Sequence, residues 1–164
     1  MPFSPAAQAS NDFFTGRAPV PTPSGGAVIA VRSAVSLGTG DLANGTVGGL
    51  AILPAGAIPV AFELDATQLD SNGTPTLAYS VGVLNAGQSA ISTATADGGA
   101  AWATGQQTGR AAGGSASGIV ASRPLKLVAA SQADRVIGIA LTGGAATPQA
   151  GVLGLTLWYR VTSR

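Results

Sequence analysis

Histidine and cysteine are both absent from this 164-residue chain, and lysine occurs once, at Lys126. Without cysteine there are no disulfides, no thiolate chemistry and no sulfur-ligated metals, and the redox compartment leaves no mark. Without histidine the commonest general base and metal ligand is missing, so Ser-His-Asp and Cys-His arrangements are excluded. A Ser-Lys pair would have to use Lys126. In "RPLKLVA" strand alternation sets that lysine opposite Leu125 and Leu127, as a solvated position on a strand face.

Charge is scarce as well. Charged residues make up 9% of the chain and the formal net charge is +1, against about 25% charged residues in a typical soluble domain. Such a surface has little electrostatic protection against self-association, which points to a protein covered within an assembly. The Lys and Arg residues, eight in all, are scattered between Arg17 and Arg164. A phosphate backbone calls for clustered cations, so nucleic acid is not an expected partner. "GTGDLANG" and "GQQTGRAAGG" are glycine-rich, but neither carries the lysine-containing phosphate-loop pattern.

The start "MPFSPAAQASNDFF" has neither the basic residues nor the continuous apolar run of a signal peptide. Residues 42–62 and 136–159 are uncharged, but Pro54, Pro59, Pro148 and several glycines interrupt them. A membrane span needs about 20 predominantly apolar residues. The expectation is a soluble protein with no membrane partner.

What the chain has in quantity is turn chemistry and small apolar side chains. Glycine occurs 24 times and proline ten times, with 46% hydrophobic residues. That composition disfavours long helices and suits one domain of short strands. Residues 1–26 carry Pro2, Pro5, Pro19, Pro21 and Pro23 and end in "PSGG", which reads as an extended arm. Residues 27–164 read as the domain. In "AVIAVRSAVSL", Ile29, Val31, Val35 and Leu37 share one face and Ala30, Arg32 and Ala34 the other. "VGGLAIL" follows a turn at Asn44-Gly45, and Pro59 argues against a central strand at its own position. "VAFELDA" puts Val60, Phe62 and Leu64 on one side. Leu77, Tyr79, Val81 and Val83 alternate after "ATQLDSNGTPT", giving two half-buried strands joined by a polar turn.

Residues 85–118 are dominated by Gly, Ala, Ser, Thr and Gln, and read either as an ordered excursion held by Trp102 or as a disordered stretch, with a weak strand in "QSAISTATA". "GIVAS", "PLKLVAA", "RVIGIALT" and "GVLGLTLWYRV" return to strand patterns. The last is the clearest, with Leu153, Leu155, Leu157, Tyr159 and Val161 on one face. The fold class is therefore all-β, an antiparallel β-sandwich of about eight strands, jelly-roll-like, with the arm in front. Periodicity alone leaves the strand order open.

Three of the seven acidic residues, Glu63, Asp65 and Asp70, fall within one short stretch. Asp70 and Asn72 in "DSNGT" have the donor types for calcium, although the spacing is not that of an EF-hand. Glu63 and Asp65 share a strand face and form a carboxylate pair of the kind glycosidases use. The simpler reading is an outer face solvated by Glu63 and Asp65, with Asp70-Ser71-Asn72-Gly73 as a tight turn closed by side-chain-to-backbone bonds. On that reading there is no catalytic residue, no metal and no cofactor.

"ILPAGAIPVAFELDATQLDSNGTPTLAYSVGVLN", "GQQTGRAAGG" and "DRVIGIALTGGAATPQAGVLGLTLWYR", in that order over residues 47–160, resemble the small virion proteins of tailed bacteriophages, in particular head decoration or cement proteins. The resemblance implies a non-enzymatic homotrimer on the outer surface of the capsid, bound to the major capsid protein and bracing capsomer junctions. Aromatic and arginine side chains dominate interfaces. The candidate capsid or protomer contacts are thus Phe3, Phe13, Phe14 and Arg17 in the arm, with Trp102 and Arg110 in the excursion. Trp102 has the alternative of closing its own core, and Arg110 that of simple solvation. A tail- or fibre-associated module binding host glycan is the competing reading. It would stack Trp102, Trp158 or Tyr79 on sugar beside calcium at Asp70. A carboxylate-only hydrolase is a third.

Overall fold

Period-two alternation of apolar and polar side chains generates the strands of this protein, and the burial of their apolar faces pairs two sheets. The structure, a computed structural model, describes residues 27–161. The proline-rich segment 1–26 lies outside the described residues, and with it Phe3, Phe13, Phe14 and Arg17. Eight strands follow: β1 (Val28–Leu37), β2 (Val47–Leu53), β3 (Ala57–Ala66), β4 (Ala78–Val83), β5 (Ala103–Gln106), β6 (Ser115–Ala116), β7 (Arg135–Gly143) and β8 (Gly151–Val161). A single helical turn, α1 (Arg123–Lys126), precedes β7. Among the described residues no helix is long and apolar enough to cross a membrane.

The strands form two four-stranded sheets with the orders β1-β8-β3-β6 and β2-β7-β4-β5. Every pairing is antiparallel. β1 pairs with β8, β2 with β7, β3 with β6 and β4 with β5. This is a long hairpin rolled over on itself, the jelly roll, so the sandwich expected from the sequence acquires a definite topology. Leu50, Leu53, Phe62, Leu64, Val81, Ile137, Ile139, Leu153 and Leu155 fill the space between the sheets and are almost fully buried. Each such side chain contributes roughly 1.5–3 kcal/mol by leaving water.

Several local expectations change. β3 and β4 lie in different sheets, so the polar stretch between them is a crossover from one layer to the other and not a hairpin turn. Pro59 lies inside β3, at a bulge where the register with β8 shifts between Pro59 and Ala61. A bulge tolerates a residue without an N–H. The extra residue, Val60, is thereby turned out of the core and left half-buried, while Phe62 and Leu64 stay inside. "QSAISTATA" forms no strand. The Ser92 hydroxyl accepts from Ala94 N–H at 3.2 Å and donates to Asp97 at 2.6 Å, and such local bonds compete with a ladder.

"GIVAS" pairs with β3 through one bridge at Val120, and "PLKLVAA" turns into α1. Ser122 caps α1 by accepting the Leu125 N–H at 3.4 Å. Pro124 sits in its first turn, where a missing N–H costs nothing. Lys126 is therefore a helix-end side chain and not one on a strand face.

The two outer faces differ. Gly49, Gly138 and Gly82 stand side by side across β2, β7 and β4. Their missing side chains let other parts of the chain lie flat on this sheet. A Cβ on Gly82 would stand 2.9 Å from Ile91 of the excursion, and one on Gly138 would stand 2.7 Å from Leu84. The outer face of β1-β8-β3 carries larger side chains at most positions, Gly154 being its one glycine among the rows formed by β1, β8 and β3.

Candidate functional site

The acidic stretch resolves into three separate environments. Asp70 is fully buried, and its carboxylate accepts five backbone N–H groups. Oδ1 takes those of Asn72 at 3.3 Å and Thr147 at 3.0 Å. Oδ2 takes those of Thr76 at 2.8 Å, Leu77 at 3.1 Å and Ala146 at 3.0 Å. Burial alone pushes the carboxyl up. The N–H groups of Thr147, Ala146, Thr76 and Leu77 outweigh it and bring the pKa down to about 2. The tight turn read from the sequence is present, since Asn72 in turn accepts the Thr74 N–H at 2.9 Å. Its carboxylate also ties that turn to the loop between β7 and β8. Donors converging on a carboxylate mark it as a structural anion, with its lone pairs engaged by N–H groups that a cation would have to displace.

Asp65 and Glu63 lie on the outer face of β3. Asp65 is not merely solvated. It pairs with Arg32 of β1 in a two-point bridge, with Nε at 3.0 Å from Oδ2 and Nη2 at 2.5 Å from Oδ1. The pair spans β8 above Gly154, where a Cβ would stand 2.6 Å from both the Arg32 Nη2 and the Asp65 Oδ2. Asp65 is thus committed to a cation, which separates its role from that of Glu63. Among the described residues no three or more acidic, histidine or cysteine side chains gather as a metal site.

The two described contact candidates lie apart from any shared surface. Trp102 is 1% exposed. Its indole packs 6.1 Å from the Phe62 ring at a 37° tilt, and its Nε1 donates to the Asp97 carbonyl at 3.4 Å. Of the two roles the sequence offered, the structure gives Trp102 that of closing the core beneath the excursion. Arg110 is half-buried and donates from Nε to the Leu77 carbonyl at 2.6 Å, bracing the excursion against the start of β4. Tyr79 is buried as well, donating to the Thr108 carbonyl at 2.9 Å; burial raises its pKa against a small opposing effect of that bond. Two of the three aromatics named for sugar stacking are therefore inside the protein.

The surface that sequence reasoning missed is the outer face of β1-β8-β3. Strand register lines its side chains into rows. Val28, Arg160 and Ile58 form one row, and Ala30, Trp158 and Ala61 the next. Arg32, Thr156 and Glu63 form the third, and Ala34, Gly154 and Asp65 the fourth. One end of the face carries the Arg32–Asp65 pair and Glu63; the other sets apolar side chains beside Arg160. At this second end Val28, Ile58, Pro59, Val60, Lys126 and Arg160 enclose a groove of about 420 Å³. Val28 is 55% exposed there. Among the described residues neither Lys126 nor Arg160 belongs to an ion pair. Alternation in β1 and β8 gave the outward positions one strand at a time. Their assembly into a surface depends on a register that no single strand encodes.

No family model and no curated protein matches the sequence. Two solved structures share its fold. A chain from the capsid of Ralstonia phage GP4 superposes with a TM-score of 0.75 at 27% identity, over 93% of this chain and 97% of that one. A chain from the capsid asymmetric unit of cyanophage Pam1 superposes with a TM-score of 0.55 at 22% identity, over 89% and 95% of the two chains. The second likeness is one of fold. The first supports a capsid-associated, virion structural role for a chain of this architecture.

Proposed function

We propose that this protein is a decoration, or cement, protein that binds the outside of a phage head and braces capsomer junctions. In this reading it acts as a homotrimer held to the major capsid protein, without catalysis and without contact to the packaged nucleic acid. The observation that carries the reading is the end-to-end likeness to a chain of the Ralstonia phage GP4 capsid. What matches there is a whole small sandwich of nearly equal length, and not a domain within a large shell subunit.

The physical chemistry agrees with that role. A subunit that works by covering surface on itself and on a shell tolerates 9% charged residues and benefits from a bare sheet end rich in apolar side chains. The glycan reading loses support with Tyr79 and Trp102 in the core.

The test is co-sedimentation of the purified protein with heads prepared without it. Saturable binding, together with greater resistance of the heads to heat, is the expected result. Failure to bind heads, or binding to tails in their place, would overturn the proposal. Deleting residues 2–23 should weaken head binding and leave the melting transition of the domain in place, because the sandwich core is built from residues after Val28.

A further inference from the structure

The sandwich finishes one outer face with its own chain and leaves the other open. Over β4, Ile91 of the excursion lies against Gly82. Over β1-β8-β3 nothing among the described residues covers Val28, Ile58 and Val60, which remain exposed or half-exposed. We propose that the groove formed by Val28, Ile58, Pro59, Val60, Lys126 and Arg160 receives the Asn11-Asp12-Phe13-Phe14 segment of a second copy of this chain. The proposal rests on the trimeric decoration reading and deepens it by naming the contact between copies.

Chemical complementarity selects the occupant. The groove has an apolar floor flanked by Lys126 and Arg160, two cations outside the described ion pairs. A fitting ligand is a short segment with aromatic side chains and one carboxylate. The chain contains four Phe; Phe62 is in the core, and the other three precede residue 27. Of its acidic residues, Asp12 alone is followed by two aromatics. Asp65, Asp70, Asp97 and Asp134 are engaged by Arg32, by backbone N–H groups, by Arg135 and by the Ala55 N–H respectively.

The trimeric reading makes the occupant another copy, and the arm is long enough to reach it. Val28 lies at the end of the sheet, paired with Arg160, and it lines the groove itself. The chain between Phe14 and Val28 reaches roughly 45 Å when extended. Pro19, Pro21 and Pro23 favour extended conformations in the middle of that span, and Gly25 and Gly26 separate them from the domain. A connector of that reach is long enough to bring Phe13 and Phe14 to the groove of a neighbouring copy in a trimer.

The experiment uses the full-length protein and reads mass by light scattering over a dilution series, with tryptophan emission as a second signal. Trp158 lies in the row next to the groove, so its emission reports occupancy. Phe13→Ser with Phe14→Ser should weaken self-association by roughly tenfold or more and shift emission towards that of exposed indole. Val28→Asp, at an exposed strand end, should do the same while leaving the melting transition unchanged. Asp12→Lys and Lys126→Glu should each weaken association, and the two together should restore it.

Wild-type mass in the Phe13/Phe14 variant, or no restoration in the charge exchange, overturns the proposal. An emission change that is independent of concentration, at constant mass, overturns it in favour of the same chain's own segment. Head binding by the Phe13/Phe14 variant separates the two claims. Association lost with head binding retained leaves both standing, whereas a variant that associates normally sinks this contact alone.

Discussion

Asp70 Oδ1 accepts the Thr147 N–H at 3.0 Å although 77 positions separate the two residues. One buried carboxylate thereby fastens the crossover between β3 and β4 to the loop between β7 and β8. Removing it leaves buried donors without partners, the costly side of hydrogen-bond bookkeeping. Asp70→Ala should destabilise the fold by about 3–5 kcal/mol, as for breaking a buried charge interaction. Asp70→Asn keeps one carbonyl but sets an amide N–H₂ against N–H donors, so it should recover only part of the loss. Urea denaturation of both variants measures this, and a cost below that of an average surface substitution would refute the role.

The same carboxylate makes stability depend on pH. Its folded pKa of about 2 lies below the ordinary 3.8, so the unfolded chain binds the proton more readily. The contribution is fully present above about pH 5 and is lost as pH falls through the folded value, which makes acid destabilising. For a fully buried group a shift of this size is worth about 2 kcal/mol. The difference in unfolding free energy between wild type and Asp70→Asn, followed from neutral pH to pH 2, should shrink by roughly that amount.

How far the sequence foretold this fold depends on where the decisive information lay. β8 was plain because its five inward side chains alternate without interruption, four of them buried and Val161 packed at the rim of the core. Asp70 was recognisable as a turn residue, since Asp-Ser-Asn-Gly closes on itself locally. Its bonds to Ala146 and Thr147 were not, because they come from a distant loop. The glycine row was equally hidden. Gly49, Gly82 and Gly138 are unremarkable in their own strands and acquire meaning when register aligns them under the excursion. The groove depends on the bulge that turns Val60 outward. Alternation assumes an unbroken pleat, and Pro59 was the one local hint that the pleat breaks.

Trp102 should be the chief support of the excursion. The chain between Leu84 and Val120 has few other large apolar side chains, and this indole is buried against Phe62. Trp102→Ala should cost about 3–5 kcal/mol through lost burial and the cavity left behind. That corresponds to a fall of roughly 10 °C in Tm for a domain of this size. Trp102→Phe should recover part of it. Hydrogen exchange should show the backbone around Ile91 and Ala101 losing protection first, since that segment is held on the sheet face by the same packing. A uniform loss over both sheets would show instead that the indole supports the whole core.

Two arginine–aspartate pairs offer a contrast that burial decides. Arg32 and Asp65 are 52% and 40% exposed, so water and salt weaken their attraction, and Arg32→Met should cost at most about 1 kcal/mol. Arg135 and Asp97 are 10% and 17% exposed. The Arg135 guanidinium serves four acceptors on separate segments. Nη1 donates to the Ala96 carbonyl at 3.2 Å and to Asp97 Oδ1 at 3.1 Å. Nη2 donates to the Ala57 carbonyl at 3.3 Å and to that of Ala129 at 2.7 Å. Arg135→Met should therefore cost about 2–3 kcal/mol, because it leaves the half-buried Asp97 carboxylate and the buried Ala57 carbonyl without their partner, while the Ala96 and Ala129 carbonyls can turn to water. Arg135→Lys should rescue little, since one ammonium cannot fork to four acceptors. Added salt separates the pairs further. The Arg32 effect should fade as ionic strength rises, while the Arg135 effect persists further because the two charged side chains are mostly covered. Equal salt sensitivity in the two variants would mean that the Arg135 site is open to water and that its four bonds do not act as a clamp.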